Sequence, residues 1–555
     1  MKQTTLSVML EVQPESADKL TRLIDALKHE EETVSAEYPE QYDRLKKRVP
    51  ALHFMSLCVF PSADYDPIFV IEANFDGAPG AFWSQLEAIL GNELRDMLRC
   101  CKEPLDEDGP LYRAVVAPGS SQPLARYLQA RTLRPSAFHH GNRGLDRDRI
   151  LNEGELFRAT RVALAQPDPA IPNPYRAMTA QQIHAALRAA LLPGFPWLDK
   201  VAPARISPAE RAGDALRLAG FLCFVLAGLS VPGIVAALIL PWPAFFVLFA
   251  VAIALVYLFL YRMHAARPGE GVPTRSGGLT PKSLSSMNEL SSLKNPKTLG
   301  AVVTLFLVLY IVFAATLGAV VASPIVDPSF GSLWWPSFRV VVAGLASGLL
   351  FTIPAVGLWL RRLERRDSSH DAPPTSDLIH EMAKHEDRIA QNHMGSVVLV
   401  KPGMLRMALF HTGHVGLGLI LRVVATDGYL GTMRTIHFAH WAFVNNGSRL
   451  MFFSNFDHSW ESYLDDFIEK AHGGLTLAWS SGVGFPPTRF LVLDGASHGR
   501  KFKAWARHSM TVSRFWYSAY KSYTVNQIER HARIADGLRK AALTPKEAAE
   551  WARDL

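Results

Sequence analysis

Apolar positions divide the chain into three parts. Residues 1–165 alternate short apolar–polar runs with helix-spaced ones, residues 218–360 hold long uncharged apolar runs, and residues 396–545 return to the first grammar. Strict alternation marks half-buried strands, and apolar residues on one helical face mark amphipathic helices. Residues 5–12 therefore predict a strand, and Pro14 opens a helix carrying Leu20, Leu23, Ile24 and Leu27. Residues 52–60 and 68–73 predict two strands. Asp76-Gly77 then starts a helix to about 98, residues 124–130 a short helix and residues 136–140 a last strand. The order is β-α-β-β-α-β. Residues 145–200 predict peripheral helices and a proline-rich lead-in at Pro167, Pro169, Pro172 and Pro174.

Residues 218–261 contain no charge. As one helix they would extend roughly 66 Å, about twice a hydrocarbon core, so two spans turning near Pro241-Trp242-Pro243 are expected. The predicted spans are 218–238, 243–261, 299–322 and 340–360, within a transmembrane region 215–362. Gly344 and Gly348 have the spacing of a close helix contact. The loop after the second span holds Arg262, Arg267, Arg275, Lys282, Lys294 and Lys297, and the fourth span ends in Arg361-Arg362-Leu363-Glu364-Arg365-Arg366. The other two connections carry little charge, Asp327 and Arg339 in one. Positive charge marks the cytoplasmic side, which predicts a multi-pass protein of the plasma (inner) membrane with both termini and both soluble parts cytoplasmic.

A linker at 166–214 precedes the spans and a polar linker at 363–395 follows them. The domain at 396–545 opens with a strand at 396–400. Residues 404–424 form an apolar helix interrupted by Arg406, His411, His414 and Arg422. Three readings are open for it: lying in the membrane interface, packing as a core helix on its own sheet, or crossing as a fifth span. Strands at 435–444 and 449–454 flank Asn445-Asn446-Gly447, a hairpin signal. A helix at 457–471, one near 502–507, a strand at 514–518 and a tail helix at 525–542 complete the unit. It repeats the first domain: His53 matches His437, Asn74-Phe75-Asp76 matches Asn455-Phe456-Asp457, Phe138 matches Trp516, and His139 matches Tyr517. The fold class is thus α+β, with two ferredoxin-like βαββαβ halves plus an all-α four-helix transmembrane region. Each bare sheet face needs a cover, so the halves are expected to pair as an intramolecular α+β barrel.

The doubled unit resembles the dimeric α+β barrel superfamily, which includes dye-decolourising peroxidases and chlorite-dismutase-like haem proteins. The segments LHF…NFDG and IHFAHW…SNFDHSWESYLDDF are similar to dye-decolourising-peroxidase-like proteins of unclear activity. The resemblance covers about 1–165 and 396–542. It implies a haem cofactor, an acidic residue of a GxxDG motif over it, a distal arginine and a histidine on the iron. Here Ala73-Asn74-Phe75-Asp76-Gly77 lacks the first glycine of that motif, and His458 stands in the second copy where Gly77 stands in the first.

The net charge of +7 gathers around the spans, and no basic run interleaved with aromatics suggests nucleic acid. Four cysteines, Cys58, Cys100, Cys101 and Cys223, form no CxxC pair and fit a reducing compartment. Asp76 and Asp457, at strand-to-helix transitions, fit caps of the helices that follow or proton shuttles. His53 and His437 occupy equivalent strand positions. Alternation places His437 with Ala439, Trp441 and Phe443 on one face, and His440 with Phe438 and Ala442 on the other. His411 and His414 fit a solvated or headgroup-facing pair, and His531 an outlying iron ligand. Arg489 is a candidate for a cavity anion, and Tyr517 belongs to an aromatic end with Trp505, Trp516 and Tyr520. The candidate catalytic residues are Asp457, Asp76 and Arg489; the candidate cofactor residues are His437, His440, His53, Trp441 and Tyr517. Two functions are expected: a peroxidase-like, haem-dependent redox protein acting on a lipophilic small molecule drawn from the lipid bilayer, or a non-enzymatic lipid- or partner-binding membrane protein. A transporter is a weaker third, because the predicted spans carry no internal charge.

Overall fold

The computed structural model describes residues 2–555 apart from 38, 63–64, 166–172, 265–295, 327–329, 368–375, 388 and 425–433. Pro167, Pro169 and Pro172, the loop cations Arg267, Arg275, Lys282 and Lys294, Asp327 and the SSHDAPPT stretch of the second linker lie outside the described residues. The chain is mixed α/β with antiparallel sheets and long apolar helices.

The strands are β1 (Gln3–Glu11), β2 (Leu52–Phe60), β3 (Ile68–Asp76), β4 (Thr132–Leu133), β5 (Ala137–His140), β6 (Gln391–Leu399), β7 (Ile436–Val444), β8 (Arg449–Asp457), β9 (Thr488–Arg489), β10 (Leu493–Asp494) and β11 (Phe515–Ser518). They form a five-stranded sheet in the order β11-β2-β3-β1-β4, a four-stranded sheet in the order β5-β7-β8-β6, and the small hairpin β9-β10. The strand expected at 396–400 begins earlier, because Gln391 to Met394 continue the ladder against Ser454 to Asp457.

The last strand of each half does not stay in its own sheet. β5 pairs with β7 of the second half, and β11 pairs with β2 of the first. The halves are therefore not self-contained βαββαβ units; they exchange edge strands. The local cause in the first half is legible. Thr132 and Leu133 pair with β1, and then Pro135, which has no N–H to give, interrupts that ladder. The chain resumes with Ser136 N–H donating to Trp441 O at 2.7 Å on the opposite sheet. In the second half Met510 bridges Ser396 of β6, and Thr511 Oγ1 then donates to Val59 O at 2.7 Å.

The sheets face each other. One end of their shared interior is apolar, built from Cys58, Phe60, Ile68, Val70, Ala442, Met451 and Phe453. β3 and β8 are buried at every position, because one face meets the other sheet and the second face meets helices. The outer face of the second sheet carries Trp441, Phe452 and Phe456 against Tyr463, Phe467 and Trp479.

The apolar region forms the helices Pro208–Ile239, Trp242–His264, Pro296–Val326 and Phe330–Arg365. By length and composition, four helical stretches among the described residues could cross a membrane: Pro208–Ile239, Thr304–Ser323, Ser332–Arg365 and Met404–Val423; Pro243–Leu258 is a shorter apolar stretch. Gly344 and Gly348 do lie at a close contact. A Cβ on Gly233 would sit 2.2 Å from Gly344 O, so only glycine admits this approach of the Pro208–Ile239 and Phe330–Arg365 helices. The Met404–Val424 helix packs one side on β5 and on the Pro208–Ile239 helix, with Phe410 and His414 fully buried, and exposes Met404, Val415, Ile420 and Val423 on another. His414 is thus not solvated: its ring bonds Ala478 O at 3.0 Å and Ser136 Oγ at 3.2 Å.

Candidate functional site

Two histidine–aspartate pairs lie at equivalent places in the two repeats. His53 Nε2–H donates to Asp76 Oδ2 at 3.0 Å, and His437 Nε2–H donates to Asp457 Oδ1 at 2.8 Å. A β-bulge brings each histidine there. The β2–β3 register passes from Leu52↔Phe75 to Phe54↔Asn74, and the β7–β8 register from Ile436↔Phe456 to Phe438↔Asn455. His53 and His437 are the extra residues, and the bulge re-aims each one. Strict alternation therefore fails here. His437 faces the other sheet, as Phe438 and His440 do, while Trp441 lies on the opposite face.

The two His–Phe dipeptides meet across the sheets. His53 lies 5.3 Å from Phe438 and Phe54 lies 5.3 Å from His437, ring centre to ring centre, with Phe54 and Phe438 in edge contact at 5.7 Å. The aspartates cap helices, though not those that directly follow them. Asp76 Oδ2 accepts from Arg147 N–H, and Asp457 Oδ2 accepts from Val525 N–H, both at 2.8 Å. These are the first residues of Arg147–Leu164 and Val525–Arg539, the final helix of each repeat. The helix after Asp457 begins at Trp460 and is capped by Ser459. An anionic side chain at a helix N-terminus is favoured by the free N–H groups and the macrodipole.

One asymmetry separates the pairs. Tyr520 O–H donates to His53 Nδ1 at 2.9 Å, fixing the tautomer with the proton on Nε2. The counterpart of Tyr520 is Asn142, which turns instead to Glu529 at 2.8 Å. His437 Nδ1 has no hydrogen-bond partner among the described residues.

Beyond the pairs the interior is polar. Glu72 on β3 accepts from Ser56 Oγ at 3.2 Å, from Asn74, and across the sheets from Asn455 at 3.4 Å. Asn455 also accepts from Trp516 Nε1 at 2.8 Å. His440 Nε2 bonds Ser7 Oγ at 2.8 Å, His140 Nε2 bonds Thr5 Oγ1 at 2.9 Å, and His393 Nδ1 bonds Ser513 Oγ at 2.7 Å. His393 Nε2 stands 3.9 Å from Glu72 Oε2. Burial pushes the Glu72 carboxyl up to about 7, against the opposing pull of Asn74, Ser56 and Asn455. Burial likewise holds the His440 and His393 imidazoles down at about 3, His393 helped by its neighbour His440. Neutral groups are the ones this interior accommodates.

Of the residues singled out in the sequence, His53, Asp76, His437 and Asp457 come together, with His440 further along the same interior. Arg489, Trp441, Tyr517 and His531 do not join them. Arg489 pairs with Asp494, closing the β9–β10 hairpin. Trp441 packs at 4.7 Å on Phe452 and 5.5 Å on Trp479, against the helices behind the second sheet. Tyr517 is buried in the apolar core of the first half, on the strand that packs on the Ala17–Glu32 helix. His531 stacks on Phe157 at 4.5 Å, also away from the interior. Sequence reading missed Glu72, His393 and Gln391, and picked out Asn74 and Tyr520 only as part of the repeat and of the aromatic end. The signal for Glu72 was a carboxyl in the middle of IFVIEANFD, a strand with apolar residues in both phases.

The residues present do not fit a haem ligand site. His53 spends both ring nitrogens on Asp76 and Tyr520. His437 is 1% exposed, and its ring meets the Phe54 ring directly, leaving no open face for a porphyrin. Among the described residues no cluster of histidine, cysteine and carboxylate suits a metal ion. The four cysteines are free, with only Cys223 partly exposed. Comparison with protein families, with curated proteins and with solved structures yields no match.

Proposed function

We propose that this is a multi-pass membrane protein carrying a non-enzymatic, lipid- or partner-binding module on the cytoplasmic side. In this reading the two sheets form an intramolecular barrel of the dimeric α+β type, each a ferredoxin-like unit with an exchanged edge strand. The observation that carries the non-enzymatic part is the sealing of the His–Asp pairs. His53 and Asp457 are 0% exposed, and the facing rings fill the space where a substrate or cofactor would lie. General acid–base chemistry needs a substrate atom within hydrogen-bond reach of the catalytic group. Here the pairs are buried between the sheets, and their bonds tie strand ends to helix starts. The cytoplasmic side is supported by the arginines that end the Phe330–Arg365 helix.

Absorbance spectroscopy tests this against the redox reading that the family resemblance suggests. Purified protein incubated with haem is expected to show no Soret band. A band that disappears in a His437→Ala variant overturns the non-enzymatic reading.

A further inference from the structure

The Met404–Val424 helix is tied at both ends to carboxylates of the apolar helices. At its start Arg406 and the preceding Lys401 reach Asp367, just past the end of the Phe330–Arg365 helix, at 3.6 and 2.7 Å. In its last turn Arg422 reaches Asp214, near the start of the Pro208–Ile239 helix, at 3.1 Å. Those two apolar helices run antiparallel. A Cβ on Gly344 would meet Ile234, one on Gly348 would meet Leu229 and Ser230, and Thr352 Oγ1 donates to Leu229 O at 3.3 Å. Asp214 stands fifteen residues before Leu229, and Asp367 fifteen after Thr352. Both carboxylates therefore lie roughly 22 Å from that contact, at the same end of the helix pair. Arg406 and Arg422 are about 24 Å apart along their own helix. A helix of that length with both ends tied to one end of the pair lies across the pair, not alongside it. Leu229 falls mid-way along the uncharged part of its helix. A bilayer with its headgroups is about 40–45 Å thick, so the two anchors stand at headgroup depth when the apolar helices span it.

The faces of the crossing helix fit that placement. Phe410 and His414 pack on Phe443 of β7, and Gly418 lies against Ser136 and Ala137. The opposite side carries Met404, Ala408, Thr412, Val415 and Val423, all exposed and none charged. Their spacing of three, four or eight residues makes them one stripe. A helix face turned to water is ordinarily charged. At the edge of the stripe Gly416 meets Phe221, where the helix crosses the Pro208–Ile239 helix.

We propose that the Met404–Val424 helix is a crossbar lying in the membrane interface, and that its uncharged stripe docks on the lipid of the bilayer that the apolar helices cross. The occupant is lipid because both anchors stand at the ends of those helices, so the stripe continues the apolar surface they present. This rests on the membrane reading of the proposed function and deepens its lipid-binding arm, naming the surface by which the two-sheet module meets the bilayer. It also replaces the fifth-span reading of the helix, whose ends would have to stand on opposite sides.

Spin-label depth measurement on the full-length protein in phosphatidylcholine–phosphatidylglycerol nanodiscs tests this. Labels are placed by Met404→Cys, Val415→Cys or Val423→Cys, each with Cys223→Ala, the partly exposed native thiol. Phe313→Cys on the Pro296–Val326 helix and Leu105→Cys on the first half are the lipid and water controls, both exposed. Oxygen concentrates in the hydrocarbon and a nickel chelate in water, so the ratio of their collisions with the label reports depth. The three helix labels are expected to share one depth between the two controls, about 5–10 Å into the headgroup–acyl boundary. A depth that changes by about 28 Å from Met404 to Val423 marks a fifth span and overturns the proposal. Labels as open to nickel as the Leu105 control overturn it, and so do labels shielded from both reagents, which assign the stripe to a protein partner. Each substituted side chain is exposed, so labelling leaves the core packing intact. A Phe313 label open to nickel would instead refute the membrane reading itself, so the two failures are distinguishable.

Discussion

Glu72 stands on the first sheet where the repeat places Phe453 on the second, and the two copies have diverged in a complementary way. Gly395 on β6 makes room for that phenylalanine, since a Cβ there would meet the Phe453 ring at 2.5 Å. Across from Glu72 the second sheet supplies Asn455 and His393. The consequence is a dependence of stability on pH. An acid with a raised folded-state pKa keeps its proton after the unfolded chain has lost it. Stability therefore falls as pH climbs from the usual 4.5 to about 7, by about 1.4 kcal/mol per unit. The buried imidazoles act oppositely. His139, His393 and His440, held at about 4, about 3 and about 3, refuse protons that the unfolded chain takes up below 6.5, so their contribution is lost as pH falls. Glu72→Gln should remove only the first effect. Chemical denaturation should show the variant gaining on wild type as pH rises and levelling off above neutrality at about 3 kcal/mol. A difference independent of pH would mean that Glu72 is ionised in the folded chain.

At the scale of elements, the exchanged strands make each half depend on the other. Without β11 the nine residues of β2 become a bare sheet edge, and without β5 the same holds for β7. Each half would also expose the inner sheet face, including Glu72, Phe54 and Phe60 in the first. Exposed apolar edges aggregate. Residues 1–165 expressed alone are expected to be insoluble, and to become soluble when coexpressed with residues 376–555 as a one-to-one complex. A folded, monomeric first half with cooperative unfolding would sink this. The exchange also marks the limit of what sequence pattern reveals. Alternation found β1, β2, β3, β7 and β8 because it reports burial of faces, which is local. It cannot report which strand lies alongside, so β5 and β11 were legible as strands but not as crossovers. It assumes an unbroken pleat, so the bulges at His53 and His437 assigned His437 to the wrong face. Repetition was the better guide: it set His53 beside His437 and Asp76 beside Asp457, though it did not join each histidine to its aspartate.

For the whole molecule, the question is how the sheets are held on the apolar helices, and buried ion pairs answer it at two places. On one side Glu364 accepts from Thr488 Oγ1 at 2.8 Å and Arg361 donates to Thr488 O at 3.0 Å, gripping the β9–β10 region. On the other side Asp214, 2% exposed near the start of the Pro208–Ile239 helix, is shared by three arginines. Arg143, in the turn after β5, reaches it at 2.6 Å; Arg422, in the last turn of the Met404–Val424 helix, at 3.1 Å; Arg217 at 3.4 Å. Arg143 also donates to Arg422 O at 2.7 Å, so the exchanged strand, the helix behind the second sheet and the first apolar helix meet at one carboxylate. Removing one partner of a buried pair costs about 3–5 kcal/mol because the other charge is left uncompensated. Arg143 keeps Glu210, and both Arg143 and Arg422 have partial access to water. Asp214→Asn is therefore expected to cost less, about 1–3 kcal/mol. Because the chain has several cooperative parts, a single melting temperature is the wrong readout. Hydrogen exchange should instead show tenfold to hundredfold faster opening, on the order of the same free energy, confined to residues 141–145 and the last turn of the Met404–Val424 helix. Arg217 is mostly exposed, and Arg217→Gln should change that protection by less than about 1 kcal/mol. If Asp214→Asn leaves both segments as protected as wild type, the carboxylate is not what joins them, and the attachment must come from the apolar contacts of Gly416 with Phe221 and their neighbours.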